Sequence, residues 1–377
     1  MLAFLSIGIL GINYLYASNS ARKAWKIQRN AAYAPKVSII IPTFNERQVI
    51  EYKLRNLAKI NYSSSLIQMV FVDSQSTDGT LDSIQQFATS HPEISVVVLE
   101  DSTRKGKTSA LNQALKTCAG DVVIVSDADC FWPPSILSDS LSYLADPEVG
   151  AVSGPKKLLN SDDSWVTRGE ASYLESMNLM RLGDSKGSST IFFEGGFGAY
   201  KKEAVEAFDP YNTGSDDCGT VIRVLEKGLR TLMIPEAAFF TAFPRSLKEK
   251  LEMKTRRSIQ LVQLFRRYAE LILKKKIQIA RGTIIRSLFM FLVAPVLFLL
   301  LMICTFYLIT IFPIALALFL VMFIPKLGRY LIEGMLSYLI LIYSLLAVLL
   351  KRNFVVWKKP NDRDWVNEDT LLKNGLI

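Results

Sequence analysis

From Ile285 to Ile324 the chain runs forty residues with one charge, Arg286. That is too long and too apolar for the core of a soluble domain, and at about 20 residues per crossing it is enough for two membrane spans. Pro313, in the stretch ITIFP, marks the predicted turn between them, and after KLGR the segment Tyr330 to Leu350 reads as a further span whose only charge is Glu333. At the other end, Leu2 to Tyr16 is apolar and is followed by the basic run ARKAWKIQR. With no basic residues before it and a Lys/Arg cluster after it, this stretch reads as an uncleaved anchor, its N-terminus outside and the next domain in the cytoplasm. Three C-terminal crossings would then leave the basic tail KRNFVVWKK outside, against the positive-inside rule, so one of those segments is expected to be re-entrant or interfacial. The predicted organisation is an anchor at 1–18, a globular domain at 35–245, amphipathic interface helices at 246–283, transmembrane segments at 284–350 and a basic tail at 351–377.

The formal charge of +9 is concentrated in one place: residues 248–281 hold eleven Lys/Arg against three Glu. Leu251, Ile259, Val262, Phe265, Leu271 and Ile272 recur there at roughly helical spacing, so the stretch reads as amphipathic helix lying on an anionic cytoplasmic leaflet. A solvated charged face is the plainer alternative. Nucleic acid is not expected as a partner, because the run leads directly into lipid-length segments. Cys118, Cys130, Cys218 and Cys304 show no metal-binding spacing and no disulfide framework, which fits a reducing compartment.

Between residues 37 and 127 β-branched runs alternate with helical periods. VSIII, QMVFVD, SVVVL and DVVIVSD are separated by NERQVIEYKLRNLAKI, TDGTLDSIQQFA and KTSALNQALKT. This predicts an α/β domain with a mostly parallel sheet covered on both faces, since parallel strands need crossovers. Ligands bind such sheets beyond the carboxyl ends of the strands, where the chain places Thr43, Asn45 and Glu46, then Asp73, then Asp127 and Asp129. Paired carboxylates at a strand end repel unless a cation sits beside them, and a hard divalent ion held there can bridge a diphosphate. Lys105 and Lys107 flank Gly106 just before a helix, where an anion can be held; the spacing is not that of a Walker loop.

Together VSIIIPTFNE, FVDSQSTDGT, RKGKTSALNQAL, IVSDAD, FFEGGFGAYKKEAV, GSDDCGTVIRVLEKGLRT and IPEAAFFTAFPRSLKEKLEMKTRR, in this order, resemble the membrane-integrated family 2 glycosyltransferases. That group includes polysaccharide synthases of the hyaluronan, cellulose and poly-N-acetylglucosamine type and ceramide glucosyltransferase. The resemblance implies a GT-A, Rossmann-like catalytic domain between N- and C-terminal transmembrane helices, a nucleotide-sugar donor (a uridine diphosphate sugar favoured) and Mn2+ or Mg2+. It implies Pro42, Thr43, Glu46 and Asp73 at the base and ribose, Lys107 and Asp127 near the sugar nucleotide, and Asp129 with Asp127 at the metal. Asp217 becomes the general base with Asp216 as its neighbour, Arg256 holds the diphosphate, and Glu194, Gly195, Gly196 and Arg257 line the acceptor side. From the residues alone SDD is equally a helix N-cap, and FFEGGFG a tight loop between two strands.

Two departures matter. Ser74 follows Asp73 where the family often has a second aspartate, and Arg257 stands where polymer-forming members carry tryptophan. Losing the flat indole disfavours a sliding polymer, so the expected acceptor is a membrane lipid, a lipid-linked sugar or a short glycan receiving one or a few sugars. A processive polysaccharide synthase and a non-catalytic membrane scaffold are the alternatives.

Overall fold

A computed structural model describes residues 2–102, 105–311, 325–350 and 366–377. The expected turn at Pro313 and the tail motifs WKKP and RDW lie outside these residues.

Seven strands form the main sheet in the order β3-β2-β1-β4-β7-β5-β8. They are β1 (Val37–Thr43), β2 (Ile67–Asp73), β3 (Ser95–Glu100), β4 (Val122–Val125), β5 (Val149–Ser153), β7 (Gly198–Lys201) and β8 (Arg230–Met233). Only β7 runs antiparallel to its neighbours. The other two strands, β6 (Lys156–Leu158) and β9 (Phe239–Thr241), pair in a small second sheet.

Apolar runs become central strands because both faces of the sheet are covered. One face packs Ile39, Ile41 and Phe71 under α2 (Arg47–Ala58), α3 (Thr80–Ser90) and α5 (Ile136–Leu144). The other packs Ile40, Val70 and Val123 under α4 (Lys107–Leu115) and α7 (Asp216–Glu226). The first strand continues through Pro42 to Thr43. Its β4 partner ends opposite Ile40, so the missing N–H of Pro42 costs no ladder bond.

Helix α1 (Leu2–Ala21) packs along α6 (Trp165–Gly187), close enough that a Cβ on Gly183 would fall 2.3 Å from the Ala17 carbonyl. The basic stretch forms the 27-residue α8 (Leu247–Leu273). Among the described residues, two helices are long and apolar enough to cross a membrane, Arg281–Ile311 and Leu331–Leu349. The first contains α9 (Arg281–Leu288), a five-residue π-helical stretch and α10 (Ala294–Ile311); the second lies in α11 (Pro325–Leu349).

The chain then returns to the α/β domain. Leu371, Leu376 and Ile377 pack with Val49 and Phe131, the Asn56 amide donates to the Leu376 carbonyl at 2.6 Å, and Arg55 pairs with Glu368 at 2.7 Å. Because both ends of residues 281–366 are tied to one domain, any membrane crossings between them are even in number.

Candidate active site

Strands β1, β2 and β4 end at one cleft, as expected for the switch point of a doubly wound sheet. The loops after β1 and β2 are laced together. Thr43 Oγ1 donates to Asp73 Oδ1 at 3.1 Å, the Ser76 amide to Asp73 Oδ2 at 2.8 Å, and the Thr77 amide to Asn45 Oδ1 at 2.9 Å. Asp73 and Glu46 are buried, and the Glu46 amide is held by Thr80 Oγ1 at 2.8 Å. The α3 N-cap is Gly79, at φ +89°, and the Asp78 carboxylate accepts from the Thr80 and Arg47 amides.

Lys107 opens α4 directly after Gly106, whose φ of +97° suits glycine. Its ammonium bridges Asp127 at 2.7 Å and Asp216 at 2.8 Å, joining the end of β4 to the start of α7. Burial opposes the Lys107 charge, but the two carboxylates outweigh it and hold its pKa well above the ordinary value. Burial raises Asp127, with Asp129 and Asp216 adding to it and Lys107 opposing.

Asp216 and Asp217 occupy the first turn of α7, after Ser215 at the N-cap. Ser215 makes no side-chain cap bond to the helix; its hydroxyl donates to Asp217 Oδ1, which also accepts from the Cys218 amide at 2.7 Å. Burial and the neighbouring Asp216 lift Asp217 to about 6 despite Ser215 and Lys107. A carboxylate so placed is ionised at neutral pH yet more basic than a surface aspartate.

Ligand atoms of Asp127, Asp129 and Cys130 lie within 4.8 Å of one another. Burial and the two aspartates push the Cys130 thiol up, and its soft sulfur is a poor match for the hard cation that two carboxylates suit. The remaining oxygen donors, half-exposed at the cleft, fit a hard divalent cation that takes further ligands from a diphosphate.

The FFEGGFG segment lies between α6 and β7, not between two strands. Glu194 pairs with Arg181 at 2.8 Å; burial raises its pKa, but Arg181, Lys156 and Arg257 outweigh this and bring it to about 2. A Cβ on Gly195 would fall 3.0 Å from Lys107 Nζ and 3.1 Å from Asp127 Oδ2, so backbone closes against the bridge there. Gly196 is different: a Cβ would meet the Phe239 ring at 2.2 Å, and its carbonyl accepts from Trp132 Nε1 at 2.8 Å, so what it serves is packing. On α8, Arg257 is exposed and Arg256 half-buried. Partial desolvation opposes the Arg257 charge, and Glu194, Glu170, Asp217 and Asp127 more than reverse it, so its pKa is raised.

Several charged residues of the site were not singled out from sequence. Lys53, fully buried, donates to Ser126 Oγ at 2.7 Å and to the Cys130 carbonyl at 2.6 Å, bracing the loop that carries Asp127 and Asp129. Burial lowers its pKa to about 8. The available signal was a lysine four residues after Val49 on the apolar face of α2. Arg181, Lys156 and Glu170 gave no comparable signal.

Residues 35–259 match the family model described as glycosyltransferase like family 2. The chain is 28% identical over 234 residues to an N-acetylglucosaminyltransferase of Rhizobium meliloti, covering 59% of this chain and 54% of that protein. It is 28% identical over 200 residues to a beta-monoglucosyldiacylglycerol synthase of Synechocystis, covering 50% and 40%. The matches thus span about half the length of these relatives. The fold resembles that of the mannosyltransferase PcManGT from Pyrobaculum calidifontis, solved with GDP-Man and Mn2+, with a TM-score of 0.76 and 27% identity over 94% of this chain and all of that one.

Proposed function

The chain belongs to the glycosyltransferase-like family 2, and from that premise we propose that it transfers a sugar from a nucleoside diphosphate sugar, with inversion, to a membrane lipid or lipid-linked acceptor at the cytoplasmic face. The observation that carries the reading is the Lys107 bridge between Asp127 and Asp216, which sets the donor-side carboxylates beside the α7 terminus that bears Asp217.

Asp217 takes the proton of the acceptor hydroxyl as its oxygen attacks the anomeric carbon. The bond from that carbon to the diphosphate breaks on the opposite face, and the electron pair leaves with the diphosphate. Lys107 and Arg256 offer positive charge to that leaving group. Mn2+ or Mg2+, held by Asp129 and Asp127, supplies charge neutralisation at the diphosphate when bound. Pro42, Thr43, Glu46 and Asp73 form the wall for base and ribose. A uridine diphosphate sugar is the favoured donor, and the GDP-Man held by PcManGT makes guanosine the competing nucleotide.

The lipid acceptor is supported by the glucosyldiacylglycerol synthase relative, by the two apolar helices joined to the catalytic domain, and by the basic α8, which suits an anionic leaflet. Arg257 on the acceptor side favours a charged head group over a sliding polymer.

The test is transfer by the full chain from a panel of nucleotide sugars in native lipid, with products read by mass. One sugar added to a lipid, lost by about 10²–10⁴-fold in Asp217→Asn, is the expected result. Free polymer of many tens of sugars would instead make this a processive synthase, and undiminished transfer by the variant would remove Asp217 as the base.

A further inference from the structure

Asp216 and Asp217 stand in the first turn of α7, and the loop that delivers the chain to that turn, residues 208–215, is sharply bent. Asp209 and Asn212 sit at φ +41° and +52°, and Gly214 at +82°. Left-handed backbone is unfavourable for a residue with a Cβ and persists only where other contacts hold it.

Those contacts come from one buried carboxylate. Asp209 is 4% exposed. Its Oδ1 accepts from the Thr213 amide at 2.9 Å and the Thr213 hydroxyl at 2.8 Å, and its Oδ2 accepts from the Gly214 amide at 2.8 Å. The same hydroxyl accepts from the Ser215 amide at 3.3 Å, and the Ser215 hydroxyl donates to Asp217 Oδ1. Asp209 thus reaches Asp217 through Thr213 and Ser215 alone.

A second link runs to the helix itself. The Asp209 amide donates to Thr220 Oγ1 at 3.0 Å, and that hydroxyl donates to the Asp216 carbonyl at 2.5 Å. Gly219 makes room for the carboxylate, since a Cβ there would fall 2.1 Å from Asp209 Oδ1. The loop is also pinned from the two helices that carry site cations. Asn112, on the same helix as Lys107, donates to the Phe208 carbonyl at 3.1 Å and accepts from its amide at 2.7 Å. Gln260, one helical turn past Arg256 on α8, donates to the Gly214 carbonyl at 2.5 Å.

We propose that Asp209 is a positioning residue for the transfer step, holding the first turn of α7 so that Asp217 meets the acceptor hydroxyl opposite the leaving diphosphate. The proposal rests on the reading of Asp217 as the base. A carboxylate accepts all three loop donors at once; an amide of the same shape has one acceptor oxygen and turns an N–H toward a donor. None of the hydrogen bonds made by Asp209 touches Thr43, Asp73 or Asp127, so donor affinity should be spared. A small displacement of the base, by contrast, is expensive in rate.

The experiment compares the full chain with its Asp209→Asn and Thr213→Val variants. The nucleotide-sugar panel gives kcat and donor KM, calorimetry gives the affinity for UDP and GDP with Mn2+, and mass spectrometry gives hydrogen exchange in peptides across residues 209–219. Both variants should exchange there at least about tenfold faster and lose about 10–100-fold in kcat, with KM and nucleotide affinity held within about twofold. Thr213→Val keeps the bonds from Asp209 to the backbone and removes only the hydroxyl link to Ser215, so it stands in if Asp209→Asn folds poorly. Unchanged exchange, or faster exchange with wild-type kcat, overturns the proposal. A fall in nucleotide affinity as large as the fall in kcat overturns it too, because Asp209 would then be a general support of the cleft. If the unaltered chain turns over no donor, the reading of its function fails; faster exchange in the variants would still uphold Asp209 as what fixes the α7 turn, and unchanged exchange would still overturn it.

Discussion

Glu333, the lone charge in the last apolar segment, becomes intelligible only through Lys250 on α8. Lys250 is fully buried, its ammonium is 2.7 Å from each oxygen of Glu333, and among the described residues the other carboxylate paired with it is Glu170, at 3.6 Å. Glu170 is itself paired with Lys254 at 2.8 Å. The network ties α11 to α6 and α8, and Gly169 gives it room: a Cβ there would fall 2.1 Å from Glu333 Oε1. Glu333→Gln keeps the shape and removes the charge, leaving a buried ammonium with part of a shared carboxylate. Breaking a buried pair from one side costs about 3–5 kcal/mol. At about 2–4 °C per kcal/mol, the drop in Tm is on the order of 6–20 °C. Thermal unfolding of the full chain in detergent, followed by tryptophan fluorescence, measures it. The double variant Lys250→Met/Glu333→Leu should recover most of the loss, because replacing both charges by apolar groups is near neutral. An unchanged Tm in Glu333→Gln, or a double variant no better than the single one, would refute the argument that this pair is what couples the helices.

Asp217 acts as a base only when ionised, and burial together with Asp216 raises its pKa to about 6. Transfer should therefore decline tenfold per pH unit below about 6; an inflection near 4 would mean that Asp217 is not the titrating base. Excess chelator should abolish transfer and Mn2+ or Mg2+ restore it, and Asp129→Ala should lose activity while keeping the Tm, since a half-exposed carboxylate beyond a strand contributes little to the core. Full activity in chelator would remove the metal. Gly195→Val should lose transfer with little change in stability, because the added side chain enters the space of Lys107 and Asp127; wild-type turnover would show that this close approach is unimportant.

Much of the catalytic domain was legible because its signals are local. Strand and helix periods are written every two or 3.6 residues, so the alternation from Val37 to Asp127 announced a parallel sheet, and the sheet announced where Thr43, Asp73 and Asp127 had to converge. The paired aspartates at 127/129 and 216/217 and the Gly106–Lys107 step stood out for the same reason, as short patterns at the ends of predicted elements. The partnerships among them did not. That Lys107 spans Asp127 and Asp216, that Lys53 sits beneath the Asp127–Asp129 loop, that Arg181 holds Glu194 with one edge and leaves the other bare, and that Glu333 meets Lys250 are all contacts between residues far apart in the chain. A charge in an apolar helix looks the same in sequence whether it is paired, bare or facing water. Its meaning depends on which distant element supplies the counter-charge, and only the packing of α6, α8 and α11 against one another decides that.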